Sequence, residues 1–321
     1  LPEHAYGILS LRKETKQGGA SMKLKTVLLF VFMLLLMFSM TSCVNQHPEE
    51  NAEVDAQVSS SENVRLIATS PAVANICDKL NLDLVGVCET NSSIPARYEG
   101  ILTVGMAMNP DLEIIKSLDP DYVLSPNTLQ SDLQPKYGSI GINSLFLNLR
   151  SVEGMYASIS DLGEKFGREE EAQALVDEYN AFMDEYRSKN EGKESPKVLV
   201  LMGLPGSYIV ATDNSYVGSL VKLAGGTNVY GDGEGEEFLF ANTEDIKTKE
   251  PDVILRAAHG LPDMAREMFA KEFETNDIWK HFEAVQEGRV YDLDSSLFNM
   301  SANFNYAQAL EQLQPMLYGD E

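Results

Sequence analysis

The sequence predicts an α/β protein built as two similar α/β lobes joined by one long helical connector. Three observations carry this. Strand-length apolar runs alternate with helical patterns from Val64 onward, which argues for mostly parallel sheets. Glu113-Ile114-Ile115-Lys116-Ser117-Leu118-Asp119-Pro120-Asp121-Tyr122-Val123-Leu124 returns as Glu244-Asp245-Ile246-Lys247-Thr248-Lys249-Glu250-Pro251-Asp252-Val253-Ile254-Leu255, at a constant offset of 131 positions. Two copies that far apart describe two related lobes, because a solenoid repeats at short tandem periods. Between them Ser151 to Lys189 reads as helix, with an apolar stripe of Leu162, Phe166, Leu175, Tyr179 and Phe182, loosened at Gly163 and Gly167.

In chain order, residues 1–21 fit nothing downstream and precede Met22, so they are expected to be upstream sequence translated in error. From Met22, Lys23 and Lys25 form a basic start, and Val27 to Met40 is an apolar run of 14 residues. A bilayer span needs about 20, so this is read as a signal peptide over 22–43. Met40-Thr41-Ser42-Cys43 resembles a bacterial lipobox, with Met40 where that pattern prefers Leu. It implies cleavage before Cys43 and a lipid on its sulfur; an ordinary secretory signal with an incidental Cys is the alternative. Residues 44–61 are polar and acidic and are expected to be a disordered tether.

The N-terminal lobe follows over 62–150. Val64–Ala68, Leu84–Cys88 and Asp121–Leu124 read as strands, and Pro71–Leu80 as a helix with proline in its first turn. The connector spans 151–190. The C-terminal lobe, 191–321, resumes with a strand from Lys197 to Met202. In both repeats Pro-Asp marks the turn between helix and strand.

The chain carries a net charge of −24, and residues 1–43 hold five Lys/Arg and two Asp/Glu. The remainder is therefore at −27, a surface that repels nucleic acid and suits a basic partner. After Cys43 only Cys77 and Cys88 remain. Both lie in apolar surroundings, so buried inert thiols are expected, with a Cys77–Cys88 bridge as the alternative.

No Gly-x-Ser-x-Gly elbow is present, and no His pair or thiolate cluster has zinc-site spacing. Leu223-Ala224-Gly225-Gly226-Thr227-Asn228 lacks the lysine of a phosphate loop and reads as a helix end. A binding protein fits better than an enzyme. Of four histidines, His4 precedes Met22, His47 lies in the tether and His281 sits in a helical patch with Trp279. His259 alone ends an apolar strand, Val253-Ile254-Leu255, and strand C-termini of open α/β sheets are where ligands bind. A structural, hydrogen-bonded His is the alternative. Met155, Met183, Met264, Met268 and Met316 fall in helical patterns as core filler. Met106 and Met108 precede the helix that starts at Asp111, and Met300 lies in a late loop. A histidine and a thioether are an axial pair that haem iron accepts; methionine as plain pocket wall is the alternative.

Gly203-x-Pro205-Gly206-Ser207-Tyr208-x-Val210-Ala211-Thr212 within Leu199–Gly226, then Ile254-Leu255-Arg256-Ala257-Ala258-His259-Gly260 and Thr275–Phe282, resemble a known family. It is the haem-binding lipoproteins that serve ABC importers as substrate-binding components, a helical-backbone, class III periplasmic-binding-protein group. The resemblance runs from about Val64 to the C-terminus. It implies two lobes with little hinge motion and a six-coordinate haem, its iron held by one Met and one His.

Matched by motif, the His is His259 and the Met is Met108, because Val104-Gly105-x-x-Met108-x-Pro110-Asp111 fits the family loop. Met106 and Ala107 depart from the family's Asn and Pro, which makes Met106 a rival ligand. Glu113 and Glu244 match the glutamates that dock into arginine pockets of the permease; ordinary solvated helix carboxylates are the alternative. Tyr208, Phe298, Met300 and Phe304 are candidate haem-pocket walls, and Arg256 is close in sequence but free to point away. The implied partners are an ABC permease with its ATPase, the outer face of the bacterial cell membrane through lipid on Cys43, and upstream haem-relay surface proteins. A ferric siderophore or corrinoid on the same scaffold is the alternative cargo. A haem-modifying enzyme is disfavoured, since two axial ligands leave no open position on iron.

Overall fold

The computed structural model describes residues 64–319 apart from 241 and 260; the leader, Cys43 and the tether lie outside the described residues. The first lobe contains β1 (Leu66–Ala68), α1 (Pro71–Lys79), β2 (Leu84–Val87), β3 (Gly105–Met106), β4 (Asn109–Pro110), α2 (Leu112–Ser117), β5 (Tyr122–Pro126), α3 (Gln130–Ser139) and β6 (Ser144–Leu147). Its sheet has the order β2-β1-β5-β6 and is parallel throughout. The expected α1 forms, with Ser70 as its cap accepting from Val73 N–H and Pro71 at its start.

The connector forms as two helices, α4 (Val152–Phe166) and α5 (Glu169–Lys189). The break falls at Gly167, at φ 64°, in the left-handed region that glycine takes without a side-chain penalty. Gly163 stays helical and serves packing instead. A Cβ there would sit 2.6 Å from Ala172 Cβ, so the glycine lets α4 and α5 approach closely.

The second lobe holds β7 (Lys197–Leu204), β8 (Ser207–Ala211), α6 (Tyr216–Leu223), β9 (Thr227–Asn228), β10 (Phe238–Phe240), α7 (Thr243–Lys247), β11 (Val253–Ala258), α8 (Pro262–Thr275), α9 (Glu283–Gln286), β12 (Val290–Asp292) and α10 (Tyr306–Tyr318). Its sheet runs β10-β8-β7-β11-β12, with β9 on β7, and β8 is antiparallel to both neighbours. Two reversals make β10 parallel to β7 and β11, so their C-terminal ends share one edge of the lobe.

The repeat persists down to backbone hydrogen bonds. Asp111 Oδ1 accepts from Glu113 N–H and Ile114 N–H, both at 3.0 Å. Asn242 Oδ1 accepts from Glu244 N–H at 3.1 Å and Asp245 N–H at 3.3 Å. Each short helix is thus capped by the same Asx chemistry. Asp121 then accepts from Arg65 N–H at 2.7 Å, and Asp252 from Lys197 N–H at 2.6 Å.

A single apolar cluster joins the lobes. It runs from Leu66 and Val73 through Met155, Tyr179 and Tyr186 of the connector to Val198, Leu220 and Leu310. Tyr306 of α10 packs edge-on against Tyr156, Tyr179 and Phe182. Tyr186 Oη donates to Leu310 O at 2.8 Å. Arg150 Nε reaches Glu237 Oε1 across the lobes at 2.8 Å. A shared dry core is a rigid connection, because packed interiors do not slide freely. Cys77 and Cys88 are both free and buried. Burial pushes Cys77 up to about 12 and Cys88 up to about 11, which leaves both protonated and inert.

Candidate functional site

His259 follows the last residue of β11. Its N–H donates to Gly203 O of β7 at 3.0 Å, which extends the β7–β11 pairing by one rung and fixes the backbone. The side chain meets solvent. The protein around the ring nevertheless desolvates it enough to lower its pKa from the ordinary value. The neutral imidazole that a metal needs is therefore the favoured form. Beyond it the chain turns through Leu261, at φ 32°, into α8, where Pro262 begins the first turn.

Met106 and Met108 sit on the β3–β4 hairpin, not in an irregular loop. Met106 pairs with Asn109, and Ala107-Met108 forms the two-residue tip. Glu89 N–H donates to Gly105 O at 2.8 Å, which ties the hairpin to the C-terminal end of β2. Gly105, at φ 86°, would press a Cβ to 3.0 Å from Asp111 N, so the tight entry needs glycine. Met108 is 73% exposed and Met106 59%. Each candidate ligand thus stands at a strand's C-terminal end, one per lobe.

The large apolar residues that stay exposed among the described residues are Leu102, Met106, Met108, Phe240, Leu261 and Met264. Leu102, Met106 and Met108 lie between β2 and α2, Phe240 is the last residue of β10, and Leu261 and Met264 follow β11. Met264 was expected in the core; α8 turns it outward, 52% exposed, five residues after His259. Met155 and Met183 are buried as expected of filler, and Met268 and Met316 are half-buried.

The four candidate walls divide. Tyr208 is half-buried against the second lobe's aromatic cluster. Its ring packs on Phe269 and Trp279, with centroids 5.8 and 6.2 Å away, and its hydroxyl donates to Glu272 Oε1 at 3.2 Å. Burial, then the Glu272 carboxylate, pushes its pKa up. Phe298 is fully buried, so it supports a wall without lining one. Met300 and Phe304 are half-buried, and Phe304 lies edge-on to Tyr156 at 6.5 Å. Arg256 is engaged by the neighbouring strand. Its guanidinium grips Asp292 through Nε at 2.8 Å and Nη2 at 2.6 Å, and lies 4.9 Å from the Phe273 ring centroid.

Sequence reasoning missed a polar recess of about 420 Å³ between the lobes, lined by Asn127, Asn148, Arg150, Asp213, Asn214 and Lys222 among others. Its chemistry suits water or a small charged group, not a porphyrin face. It opens beside the ends of β5 and β6, whereas Met108 follows β2 at the opposite edge of that sheet. No local signal in the sequence marks it, since its lining comes from segments far apart in the chain. No group of three or more His, Cys, Asp or Glu side chains among the described residues is arranged to hold a metal ion.

Two α/β lobes on a helical connector, with one candidate ligand at a strand end of each, have the build of a substrate-binding protein, and the chain belongs to the periplasmic binding protein family, whose model matches residues 66–297. It is 39% identical over 283 residues to the High-affinity heme uptake system protein IsdE of Staphylococcus aureus, covering 88% of this chain and 94% of that one. The crystal structure of S. aureus IsdE complexed with heme superposes with a TM-score of 0.74 at 41% identity, covering 79% of this chain and 99% of that one. An ABC transporter substrate-binding protein of Listeria monocytogenes EGD-e superposes with a TM-score of 0.76 at 46% identity, covering 80% of this chain and 99% of that one.

Proposed function

We propose that this chain is a lipid-anchored haem receptor that captures haem and hands it to an ABC permease for iron acquisition. The observation that carries this is the exposed Met108 on one lobe and the exposed, desolvated His259 on the other, each at a rigid strand end. The likeness to a heme uptake protein and to its heme-bound structure supports the cargo. Thioether and neutral imidazole are soft, uncharged donors that iron in a porphyrin takes as its fifth and sixth ligands. The exposed Leu261 and Met264 beside His259 fit the apolar porphyrin face, with Met300 and Phe304 as candidate walls. Met106, 59% exposed on the same hairpin, is the rival thioether.

The chain acts as a carrier, because two protein ligands fill the iron and leave no position for substrate. Glu113 and Glu244, exposed on equivalently capped helices, engage the permease, one per lobe. Lipid on Cys43 holds the body at the outer face of the bacterial cell membrane, and upstream surface proteins supply the haem. Among the described residues no helix is long and apolar enough to cross a membrane.

Titration of the purified protein with haem tests the cargo, against a ferric siderophore and a corrinoid as competitors. A low-spin Soret spectrum at one haem per chain, undisturbed by either competitor, is expected. Displacement of haem by a competitor would reassign the cargo.

A further inference from the structure

The capture of haem leaves two exposed large apolar side chains without a role, Leu102 and Phe240, and Phe240 is by far the more exposed. Phe240 is 96% exposed, the most of any large apolar residue among those described. Its strand register places it beside Ile209 of β8, which pairs with Met202 of β7, which pairs with Ala257 of β11. Three inter-strand spacings separate it from β11, about 14 Å. It therefore stands well to the side of the strand that delivers His259.

Phe240 stands four residues before Glu244 in the chain. In both lobes a strand end leads through an Asx cap to the docking glutamate: Asn109, Asp111 and Glu113 in the first, Phe240, Asn242 and Glu244 in the second. The frames are the same and the fourth residue before the glutamate differs. The first lobe has an amide there, and the second a bare aromatic ring.

We propose that Phe240 is an aromatic anchor for the permease, seated beside the Glu244 contact and peculiar to the second lobe. This rests on the docking role of Glu244. Aromatic side chains are enriched in interfaces, at an apolar centre with a polar rim. The charges around it select the partner. Glu236 and Glu244 are exposed on either side, and the body as a whole is strongly acidic. A second copy of this chain or an anionic membrane would be repelled. A permease loop that carries arginine next to an apolar slot satisfies both ring and carboxylate. The carboxylate pair alone is nearly two-fold symmetric, and Phe240 makes the second lobe's contact stronger than the first's.

The test compares Phe240→Ser, Phe240→Leu and Glu244→Ala in cells deleted for this chain and complemented with each variant. Haem uptake is measured at limiting haem, and the haem spectrum and affinity of each purified variant are measured in parallel. Phe240→Ser should lower uptake by on the order of tenfold with spectrum and affinity unchanged, and Phe240→Leu should retain most of it. Wild-type uptake by Phe240→Ser, with Glu244→Ala defective, overturns the anchor and leaves the docking role standing. Wild-type uptake by both variants removes the docking role itself. An altered spectrum or affinity in Phe240→Ser would place the ring in the haem pocket and overturn the anchor. So would a wild-type dimer in sedimentation that Phe240→Ser dissociates, which would assign the ring to a second copy.

Discussion

Asp119 takes φ 45° and Glu250 takes φ 48°, and these residues are the same position in the two repeats. Each is left-handed and non-glycine, each precedes Pro-Asp, and each hands the chain to a buried strand. An aspartate adopts that conformation readily and a glutamate does not, so the second copy holds its turn against local preference. Asp121 and Asp252 show what holds it, since each accepts a backbone N–H from the neighbouring parallel strand. Beyond the strands the lobes part. After β5 the first lobe turns into a short helical segment at Asn127. After β11 the second presents His259 and enters α8, longer than its counterpart α3 in the first lobe, followed by a helical turn, Asp277–His281, that carries Trp279. The scaffold is thus duplicated, and the proposed ligand chemistry is specific to each lobe: imidazole from one, thioether hairpin from the other.

The largest effect on this comparison should come from the aromatic layer that packs beside α8 in the second lobe. Trp279 is fully buried, stacks on Phe273 at 4.2 Å, and its Nε1 donates to Glu272 at 3.2 Å. Trp279→Ala should cost about 3–5 kcal/mol by urea unfolding. A loss below about 1 kcal/mol would mean that this layer does not support the β11 end.

The equivalent turns should respond alike. Asp121→Ala and Asp252→Ala each remove a charged acceptor from a backbone donor, worth about 1.5 kcal/mol. Denaturant midpoints that differ clearly between the two would break the equivalence. The helix caps come next. Asp111→Ala and Asn242→Ala should each cost about 1 kcal/mol, read by thermal unfolding, with the haem spectrum unchanged.

The smallest effect is on pH. Burial lowers the His259 pKa, so the imidazole stays neutral to a pH below the usual value of about 6.5. Iron competes with the proton for the same nitrogen. As pH falls, the low-spin haem spectrum should persist through 6.5 and fail only below it. Loss of that spectrum at or above 6.5 would show that the ring is not desolvated.

Much of this was legible in the sequence. Apolar runs and the 131-residue repeat located both sheets, because a buried parallel strand must be apolar on both faces. His259 was legible because it is the one His that follows such a strand. What escaped depended on tertiary contact. Tyr208 occupies a motif segment and its hydroxyl is taken up by Glu272, a partner 64 positions away that nothing local announces. Met264 lies in a helical pattern like that of Met268, and only the packing of α8 separates exposed from half-buried. The Arg150–Glu237 contact links residues 87 positions apart, beyond the reach of any periodicity. Burial raises the Glu237 pKa against the pull of Arg150, a cost that only the folded interior creates.

The most direct measurement is the absorption spectrum of the haem-loaded protein beside Met108→Ala, Met106→Ala and His259→Ala. Met108→Ala and His259→Ala should each lose the low-spin six-coordinate spectrum and weaken haem binding by more than the roughly 10–100-fold that loss of an outer-shell partner costs. Met106→Ala should match wild type. A wild-type spectrum from His259→Ala, or from Met108→Ala and Met106→Ala alike, would contradict a haem held between a thioether of the first lobe and the imidazole of the second.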